Sequence, residues 1–197
     1  MASAARRLLR EATAYAAYAV AREAGDLATY QYRATTAISI YVIPDSEVDG
    51  AAEEFGMQED SKVKDFVLSS AQAGIRARVT TKALNTNVVT LTTNKAHGFV
   101  AGQEIRVVMD VADGSIDGLS HVIVSVPTTT TLTYAKSATN ITSIAAGGDI
   151  EAIIRPGDTL THESEAYEVE TVEPDSLRAV YRLRCRSRRA RHGGIGS

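Results

Sequence analysis

The stretch RPGDTLTHESEAYEVETVEPD occupies residues 155–175 and contains seven carboxylates, with no basic residue after Arg155. Two alternating runs flank Glu163-Ser164-Glu165-Ala166, which is typical of two antiparallel strands joined by a tight turn. Because side chains alternate along a strand, the returning strand should have two distinct faces. These faces are Tyr167, Val169 and Thr171 on one side and Glu168 and Glu170 on the other.

The placement of these acids argues against a catalytic role. Acid–base catalysis needs carboxylates in unlike environments within a cleft that binds substrate. Here the acids fall at a turn and along one strand face, in a chain with no tryptophan and only three phenylalanines. The sequence also lacks a G-x-S-x-G nucleophile motif and the glycine-rich loops that cradle phosphates. We therefore expect a protein that is not an enzyme.

Another alternating strand is predicted at the basic end of the chain. Its apolar positions are Val180, Tyr181, Leu183 and Cys185, and they interleave with Arg182, Arg184 and Arg186. The arginines should face outward or lie against an acidic partner strand. Cys185, the single cysteine, should point away from them and be buried, which disfavours a reactive thiol. One cysteine excludes an internal disulfide and suits a reducing compartment.

The N-terminal part of the chain predicts a helix followed by strands. Residues 4–24 are rich in alanine and other strong helix formers, and Gly25 can end the helix. Residues 29–43 and 62–70 have strand composition, and residues 44–60 should form an acidic loop. An apolar stripe with helical spacing runs along the helix and comprises Leu8, Ala12, Tyr15, Ala16, Ala19 and Val20.

The middle of the chain, residues 78–149, reads as an inserted module. Thirteen of the twenty threonines lie between Thr80 and Thr142. Short strand-like runs separated by turn-rich spacers, with no helix signal, indicate an all-β sandwich or barrel. The charge of this module is balanced, whereas its flanks are strongly charged. Insertion is physically easy where two chain ends emerge close together on a loop.

Charge is segregated along the chain. Residues 45–65 carry eight acids against two lysines, and residues 176–197 carry seven arginines and no acid. Such segregation suits docking of copies or neighbours through complementary patches, although a solvated tail is the simpler alternative. Candidate interface residues are Arg6, Arg7, Arg10, Glu163, Glu165, Glu168, Arg182, Arg184, Arg186, Arg188 and Arg189.

No metal or cofactor site is predicted. The four histidines are not spaced as ligand pairs, and one cysteine gives no zinc signature. Residues 110–118, DVADGSIDG, lack the spacing of a calcium loop and should form a turn between strands. The chain also lacks an export signal and an apolar run long enough to span a membrane. Non-specific contact with DNA would depend on the arginine-rich C-terminal part alone.

Two segments of the chain resemble a known protein family. The strand ending KDFVLSS, followed later by IIRPGDTLTHESEAYEVETVEPD, resembles the head–tail joining proteins of tailed bacteriophages, also called head-completion, head-closure or stopper proteins. The matching positions are Asp65, Phe66, Pro156, Gly157, Asp158, Tyr167, Glu168 and Val169. The resemblance covers roughly residues 25–75 and 150–187. The long insert departs from the simpler members of that family and resembles small β modules of phage virion proteins, with shared cues at Ala96-His97-Gly98-Phe99, Gly102, Val126 and Tyr134.

The resemblance implies a fold and a division of the chain. We expect a mainly β protein, namely a small β-barrel with an N-terminal α-helix and an inserted all-β sandwich or barrel module. The expected parts are a helix at 1–27, a head-closure-like barrel at 28–77 plus 150–187, the threonine-rich module at 78–149 and a flexible tail at 188–197.

The resemblance also implies a structural role in the virion neck. Such proteins form a ring, hexameric in the family, beneath the portal and its adaptor. The ring closes the DNA-filled head and offers a docking surface to a tail-terminator or tail-tube protein. The protein would be made in the host cytoplasm and would have no membrane partner. Two alternatives stay open: a minor tail, adhesion or decoration protein that binds through the inserted module, and a carboxylate-dependent enzyme using Glu163, Glu165 and Glu168.

Overall fold

The computed structural model describes residues 2–33, 35–49 and 62–187. One helix precedes twelve strands in these ranges. The elements are α1 (Ala2–Ala24), β1 (Asp26–Gln31), β2 (Ile38–Asp49), β3 (Lys62–Ser69), β4 (Arg76–Asn85), β5 (Val88–Thr93), β6 (Glu104–Met109), β7 (Gly118–Thr128), β8 (Thr131–Ala135), β9 (Ile141–Ala152), β10 (Thr159–His162), β11 (Glu165–Pro174) and β12 (Val180–Ser187).

The strands form two closed antiparallel barrels. The first barrel has the order β1-β10-β11-β12-β3-β2, and the second has the order β4-β5-β8-β7-β6-β9. Closure leaves no free strand edge in either barrel. The predicted fold class is confirmed. The protein is mainly β, with an N-terminal helix, a first barrel, and a second all-β barrel that is inserted in the sequence of the first barrel.

The inserted barrel begins and ends on neighbouring strands. β4 and β9 pair antiparallel, with Arg76 opposite Glu151. The backbone N–H of Ala152 donates to the carbonyl of Ile75 at 2.7 Å. The chain therefore enters and leaves the second barrel side by side, which is the geometry that tolerates insertion into a host fold. The strands of this barrel extend slightly beyond both ends of the predicted module at 78–149.

Two details of the first barrel differ from the sequence prediction. The strand-like run at 29–43 is interrupted by a turn, in which Arg33 has a φ of 45°. β2 then continues through Pro44 to Asp49, where a loop was predicted. Pro44 is tolerated because the register of β2 on β3 shifts between Pro44 and Ser46, and proline occurs at such irregularities. The remainder of the predicted acidic loop, from residue 50 onward, lies outside the described residues.

The hairpin predicted at Glu163-Ser164-Glu165-Ala166 is confirmed, with its turn confined to Glu163 and Ser164 because β11 already begins at Glu165. Both residues have positive φ angles, 49° and 68°, as a two-residue type I′ turn requires. Tyr167 and Val169 are buried on the returning strand, as predicted. Thr171 is exposed instead, because the register shifts between Val169 and Thr171. Val172 packs against the core in its place.

Helix α1 packs through a face of small residues. Ala14 and Ala21 are both 1% exposed, and the hydroxyl of Ser69 donates to the carbonyl of Ala14 at 2.6 Å. Where the helix ends, a Cβ on Gly25 would lie 2.6 Å from the carbonyl oxygen of Val42, so only glycine allows this close crossing over β2. The described part of the chain contains no helix long and apolar enough to cross a bilayer.

The apolar stripe predicted on the helix lies on the opposite, solvent-facing side. Leu8 is 61% exposed and Val20 is 54% exposed. The side facing the barrels instead carries Arg10 and Glu11, which are partly buried. A helix on a globular protein normally has the reverse arrangement. Every residue of the predicted stripe is exposed: Leu8, Ala12, Tyr15, Ala16, Ala19 and Val20.

Candidate functional site

The arginines of β12 lie on the outer wall of the first barrel. Along this strand Tyr181, Leu183 and Cys185 are buried and the intervening arginines are exposed, as predicted. Burial raises the pKa of the Cys185 thiol to about 12, so this cysteine is a poor nucleophile at neutral pH.

Acidic residues flank the arginines within the same chain. Nε of Arg186 lies 2.5 Å from Oε1 of Glu170 on β11. Nη2 of Arg182 lies 2.8 Å from Oδ2 of Asp45 on β2. Arg184 is opposite Asp65 in the register of β12 on β3. The arginines of β12 therefore face outward, and they also lie beside acidic residues of neighbouring strands. Both predicted alternatives hold for this strand.

The candidate acids at the hairpin have different surroundings. Glu163 lies at the tip with its side chain 74% exposed. Glu165 accepts hydrogen bonds from the hydroxyls of Tyr167, at 2.9 Å, and Ser187. Glu168 is half-buried and opposite Arg186 in the β11–β12 register. Through its bond with Ser187, Glu165 holds the hairpin against β12, whereas Glu163 remains at the exposed tip.

The arginines of the helix lie elsewhere. Arg10 forms an ion pair with Glu151 of the second barrel, and burial together with the charge of Arg76 lowers the pKa of Arg10. Nη2 of Arg6 donates to the carbonyl of Ser176 at 3.2 Å. The helix arginines therefore hold α1 to its own chain rather than joining the arginines of β12. The side chain of Arg7 and the residues Arg188 and Arg189 lie outside what the structure describes.

A buried carboxylate joins the two barrels. Glu104 at the start of β6 accepts hydrogen bonds from the hydroxyl of Tyr32 at 2.9 Å, from Arg155 at 2.5 Å and from Ser120. Burial alone would raise the pKa of Glu104, but the hydrogen bonds from Ser120 and Tyr32 and the charge of Arg155 lower it. Sequence reasoning missed this residue, because its partners come from three separate parts of the chain.

The Pro-Gly-Asp turn is organised around Asp158, which is 1% exposed. Oδ2 of Asp158 accepts hydrogen bonds from the hydroxyl of Tyr30 at 2.5 Å and from the backbone N–H of Arg155 at 2.8 Å. Burial raises the pKa of Asp158 and also that of Tyr30. Gly157 has a φ of +91°, which explains the need for glycine before the aspartate.

The two halves of the family-like pattern meet inside the first barrel. Phe66 of β3 is fully buried, and its ring centroid lies 5.4 Å from that of Tyr167 in an edge-on arrangement. The ring of His162 packs against Phe66 at the same centroid distance. The segments before and after the inserted barrel are thus joined in one core.

The Ala96-His97-Gly98-Phe99 cue has a clear structural role. The backbone N–H of Phe99 donates to Nδ1 of His97 at 2.9 Å. The carbonyl of His97 in turn accepts from the N–H of Gly74 at 2.6 Å. A Cβ on Gly98, which has a φ of +69°, would lie 2.8 Å from the backbone nitrogen of Gly74. This segment therefore fixes the point where the chain enters the second barrel.

One group of side chains in the described ranges could hold a metal ion, namely Asp26, His162 and Glu163. Nε2 of His162 lies 3.0 Å from Oδ2 of Asp26, and Nδ1 lies 3.6 Å from Oε2 of Glu163. The imidazole is 1% exposed, whereas both carboxylates are exposed. One nitrogen and two carboxylate donors suit a divalent transition metal. Sequence reasoning did not find this group, because Asp26 and His162 are brought together by the pairing of β1 with β10.

The turn predicted at residues 110–118 is confirmed between β6 and β7. Asp117 accepts hydrogen bonds from the backbone N–H groups of Met109, at 2.6 Å, and Asp113, at 2.8 Å. Asp113 pairs with Lys82 at 2.5 Å. Asp113 and Asp117, in the segment that resembles a calcium loop, thus accept hydrogen bonds from backbone N–H groups or pair with a lysine.

Comparisons of the chain with protein-family models, with curated proteins and with solved structures found no match.

Proposed function

We propose that this protein is a structural component of the neck of a tailed-phage virion. It assembles with copies of itself as a ring between the portal or adaptor and the tail. The ring closes the DNA-filled head and offers a docking surface to a tail-terminator or tail-tube protein. The role is not catalytic.

The observation that carries this proposal is the contact between Phe66 and Tyr167. The resemblance to head–tail joining proteins rests on short patterns on either side of the inserted barrel. The resemblance implies that both patterns belong to one barrel. In agreement with this, the rings of Phe66 and Tyr167 pack at a centroid distance of 5.4 Å in the first barrel. The adjoining Asp158 anchors the Pro-Gly-Asp turn in the same barrel.

The surroundings of the reactive groups support a structural role. Asp158, Glu165 and Glu170 are engaged in hydrogen bonds or ion pairs that hold the barrel together. Arg182 and Arg186 are paired with acids of the same chain. Any non-specific contact with packaged DNA is therefore assigned to the arginines that follow β12 in the sequence, namely Arg188, Arg189 and Arg191.

The proposal can be tested in a phage that encodes this chain. A stop codon early in its reading frame should give DNA-filled heads that lose their DNA and do not join tails. Electron microscopy and a nuclease-protection assay measure both effects, and a plasmid copy of the intact gene provides the control. Tailed, infectious particles in normal numbers would exclude the neck role.

A second candidate, binding of another virion or surface protein through the inserted barrel, is supported by a separate feature. Leu119, Val122 and Val124 of β7 are 76%, 54% and 63% exposed. A group of exposed apolar side chains on one strand is a common feature of protein interaction surfaces. Replacing Val122 and Val124 with serine should then leave the ring intact but release the bound protein from purified particles.

A further inference from the structure

One imidazole and two carboxylates lie together at the tip of the β10–β11 hairpin. His162 is the last residue of β10 and is opposite Ala28 in the register of β1. Asp26 precedes Ala28 by two residues, so its side chain lies on the same face of the sheet, diagonal to His162. Glu163 follows His162 directly, in the turn. We call Asp26, His162 and Glu163 the hairpin-tip cluster.

The core of the first barrel holds the imidazole in place. The side chain of His162 is 1% exposed, and its ring packs edge-on against Phe66 at a centroid distance of 5.4 Å. The side chains of Asp26 and Glu163 are 52% and 74% exposed. A fixed nitrogen donor therefore adjoins two carboxylates that can adjust from the solvent side. Functional sites need at least one such preorganised group.

The hydrogen bonding of His162 is incomplete. Nε2 lies 3.0 Å from Oδ2 of Asp26, whereas Nδ1 is buried, lies 3.6 Å from Oε2 of Glu163 and has no hydrogen-bond partner. A neutral imidazole has one N–H group and one nitrogen with a lone pair, and a carboxylate only accepts. Whichever nitrogen carries the proton, the other presents its lone pair beside a carboxylate oxygen. Such a pair of acceptors attracts a cation.

A second proton on the imidazole would not complete the bonding. It would leave the Nδ1–H group 3.6 Å from Oε2 of Glu163, which is too long for a hydrogen bond. A metal ion can instead accept lone pairs from all three side chains, whose ligand atoms lie within 4.8 Å of one another. Ligands that each lie about 2.1 Å from one ion are about 3.0–4.2 Å apart. A small rotation of the exposed Glu163 side chain would therefore bring the three atoms onto one ion.

We infer that the hairpin-tip cluster binds a divalent transition-metal ion. Its ligands are one imidazole nitrogen of His162 and one carboxylate oxygen each from Asp26 and Glu163, and water completes the coordination. Imidazole combined with carboxylate suits ions such as Zn²⁺ and Ni²⁺, whereas Mg²⁺ and Ca²⁺ prefer oxygen ligands alone. This site departs from the sequence prediction of no metal, and it does not depend on the proposed role in the virion.

The position of the cluster indicates a structural ion. Asp26 directly follows Gly25, where the backbone N–H of Gly25 still bonds to the carbonyl of Ala21 at the end of α1. The ion therefore ties the start of β1, next to the helix, to the tip of a hairpin from the C-terminal half of the chain. A ligand that binds only the folded state stabilises it more as the ligand concentration rises. We expect the melting temperature to rise with the concentration of the metal.

Thermal unfolding of the full chain, purified without a histidine tag and treated with a chelator, tests the inference. Circular dichroism follows the melting temperature as Zn²⁺ is added, and visible absorption of bound Co²⁺ reports coordination directly. Zn²⁺ should raise the melting temperature, and Mg²⁺ at the same concentrations should not.

Isosteric variants identify the ligands. Asp26→Asn and Glu163→Gln keep the shape of exposed side chains, so their melting temperatures without metal should stay near that of the wild type. Each should weaken Zn²⁺ binding at least tenfold, because each removes a carboxylate ligand. Glu173→Gln is the matched control, since Glu173 is an exposed carboxylate at the far end of β11, and it should bind Zn²⁺ as the wild type does.

Nitrogen NMR of the imidazoles tests the part of His162 without replacing it, because a replacement would also remove the contact with Phe66. Zn²⁺ should shift the ring ¹⁵N signals of one histidine in the wild type. In Glu163→Gln the same shift should need at least tenfold more Zn²⁺.

Three results would overturn the inference. The first is a wild-type protein in which Zn²⁺ and Co²⁺ change neither the melting temperature, the absorption nor the imidazole signals, which would leave a proton as the only cation at the cluster. The second is equal Zn²⁺ affinity of Glu163→Gln and the wild type, which would place the ion elsewhere. The third is equal stabilisation by Mg²⁺, which would indicate attraction to surface charge alone.

Discussion

The aromatic rings of Phe66 and Tyr167 pack edge-on at a centroid distance of 5.4 Å, although the whole second barrel lies between them in the sequence. This contact joins β3 to β11 inside the first barrel and makes the two outer segments of the chain one folding unit. Edge-on aromatic pairs stabilise a core beyond the burial of their area.

Replacing Phe66 with alanine should therefore destabilise the protein strongly. Phe66 is fully buried, and such truncations cost about 3–5 kcal/mol. Urea unfolding followed by circular dichroism measures the loss. Leu27→Ala is the matched control, because Leu27 is 62% exposed, and it should cost less than about 1 kcal/mol. Equal losses for the two variants would mean that the first barrel is not packed around Phe66.

Glu104→Gln tests the contact between the barrels. The amide keeps the shape of the side chain but removes the charge that faces Arg155, so a loss of about 1–3 kcal/mol is expected. Glu173→Gln changes an exposed carboxylate and should have little effect. Hydrogen exchange can be followed separately in the two barrels. The backbone amides near the junction should lose protection in both barrels. Unchanged exchange around Tyr32 and Arg155 would contradict a role for Glu104 in joining the barrels.

The second barrel should lose stability in mildly acidic solution. Burial lowers the pKa of both His97 and His121, so the folded state holds these imidazoles neutral. In the unfolded chain they take up protons below a pH of about 6.5. The stabilisation is thus present above that pH and is lost as the pH falls through it. The free energy of unfolding, measured at several pH values between 7.5 and 5.5, should decline, and His97→Gln with His121→Gln should flatten the decline. A wild-type value that stays constant over this range would exclude the effect.

The first barrel should fold without the inserted one. Ile75 and Ala152 are adjacent, so residues 76–152 can be replaced by a short glycine linker. The shortened chain should give a strand-type circular dichroism spectrum and a cooperative thermal transition. Its melting temperature should be lower than that of the whole protein, because the ion pair of Arg10 with Glu151 is lost. A shortened chain without a cooperative transition would show that the two barrels fold only together.

Local patterns in the sequence predicted the hairpin and the last strand well. The turn at Glu163-Ser164 and the alternation of Leu183 and Cys185 with arginines follow from the two-residue period of a strand. The order of the strands around each barrel could not be predicted in that way. Glu104, Arg155 and Tyr32 converge through tertiary structure alone, and no spacing in the sequence brings them together.

The helix shows where periodicity misleads. The stripe containing Leu8 and Val20 has helical spacing, and a helix packed on a core would normally bury it. The structure buries Ala14 and Ala21 instead, because small side chains let the helix lie close to β2 and β3. The charged groups of Arg10 and Glu11 then find partners on the second barrel, at Glu151 and Arg76.

The position of the protein in the particle is the most direct test of its proposed role. A peptide tag fused after Ser197 can be labelled with gold and located by electron microscopy of intact phage, with untagged phage as the control. We predict a single cluster of label at the junction of head and tail in each particle. Label distributed over the capsid surface, along the tail or at its tip would contradict the neck role.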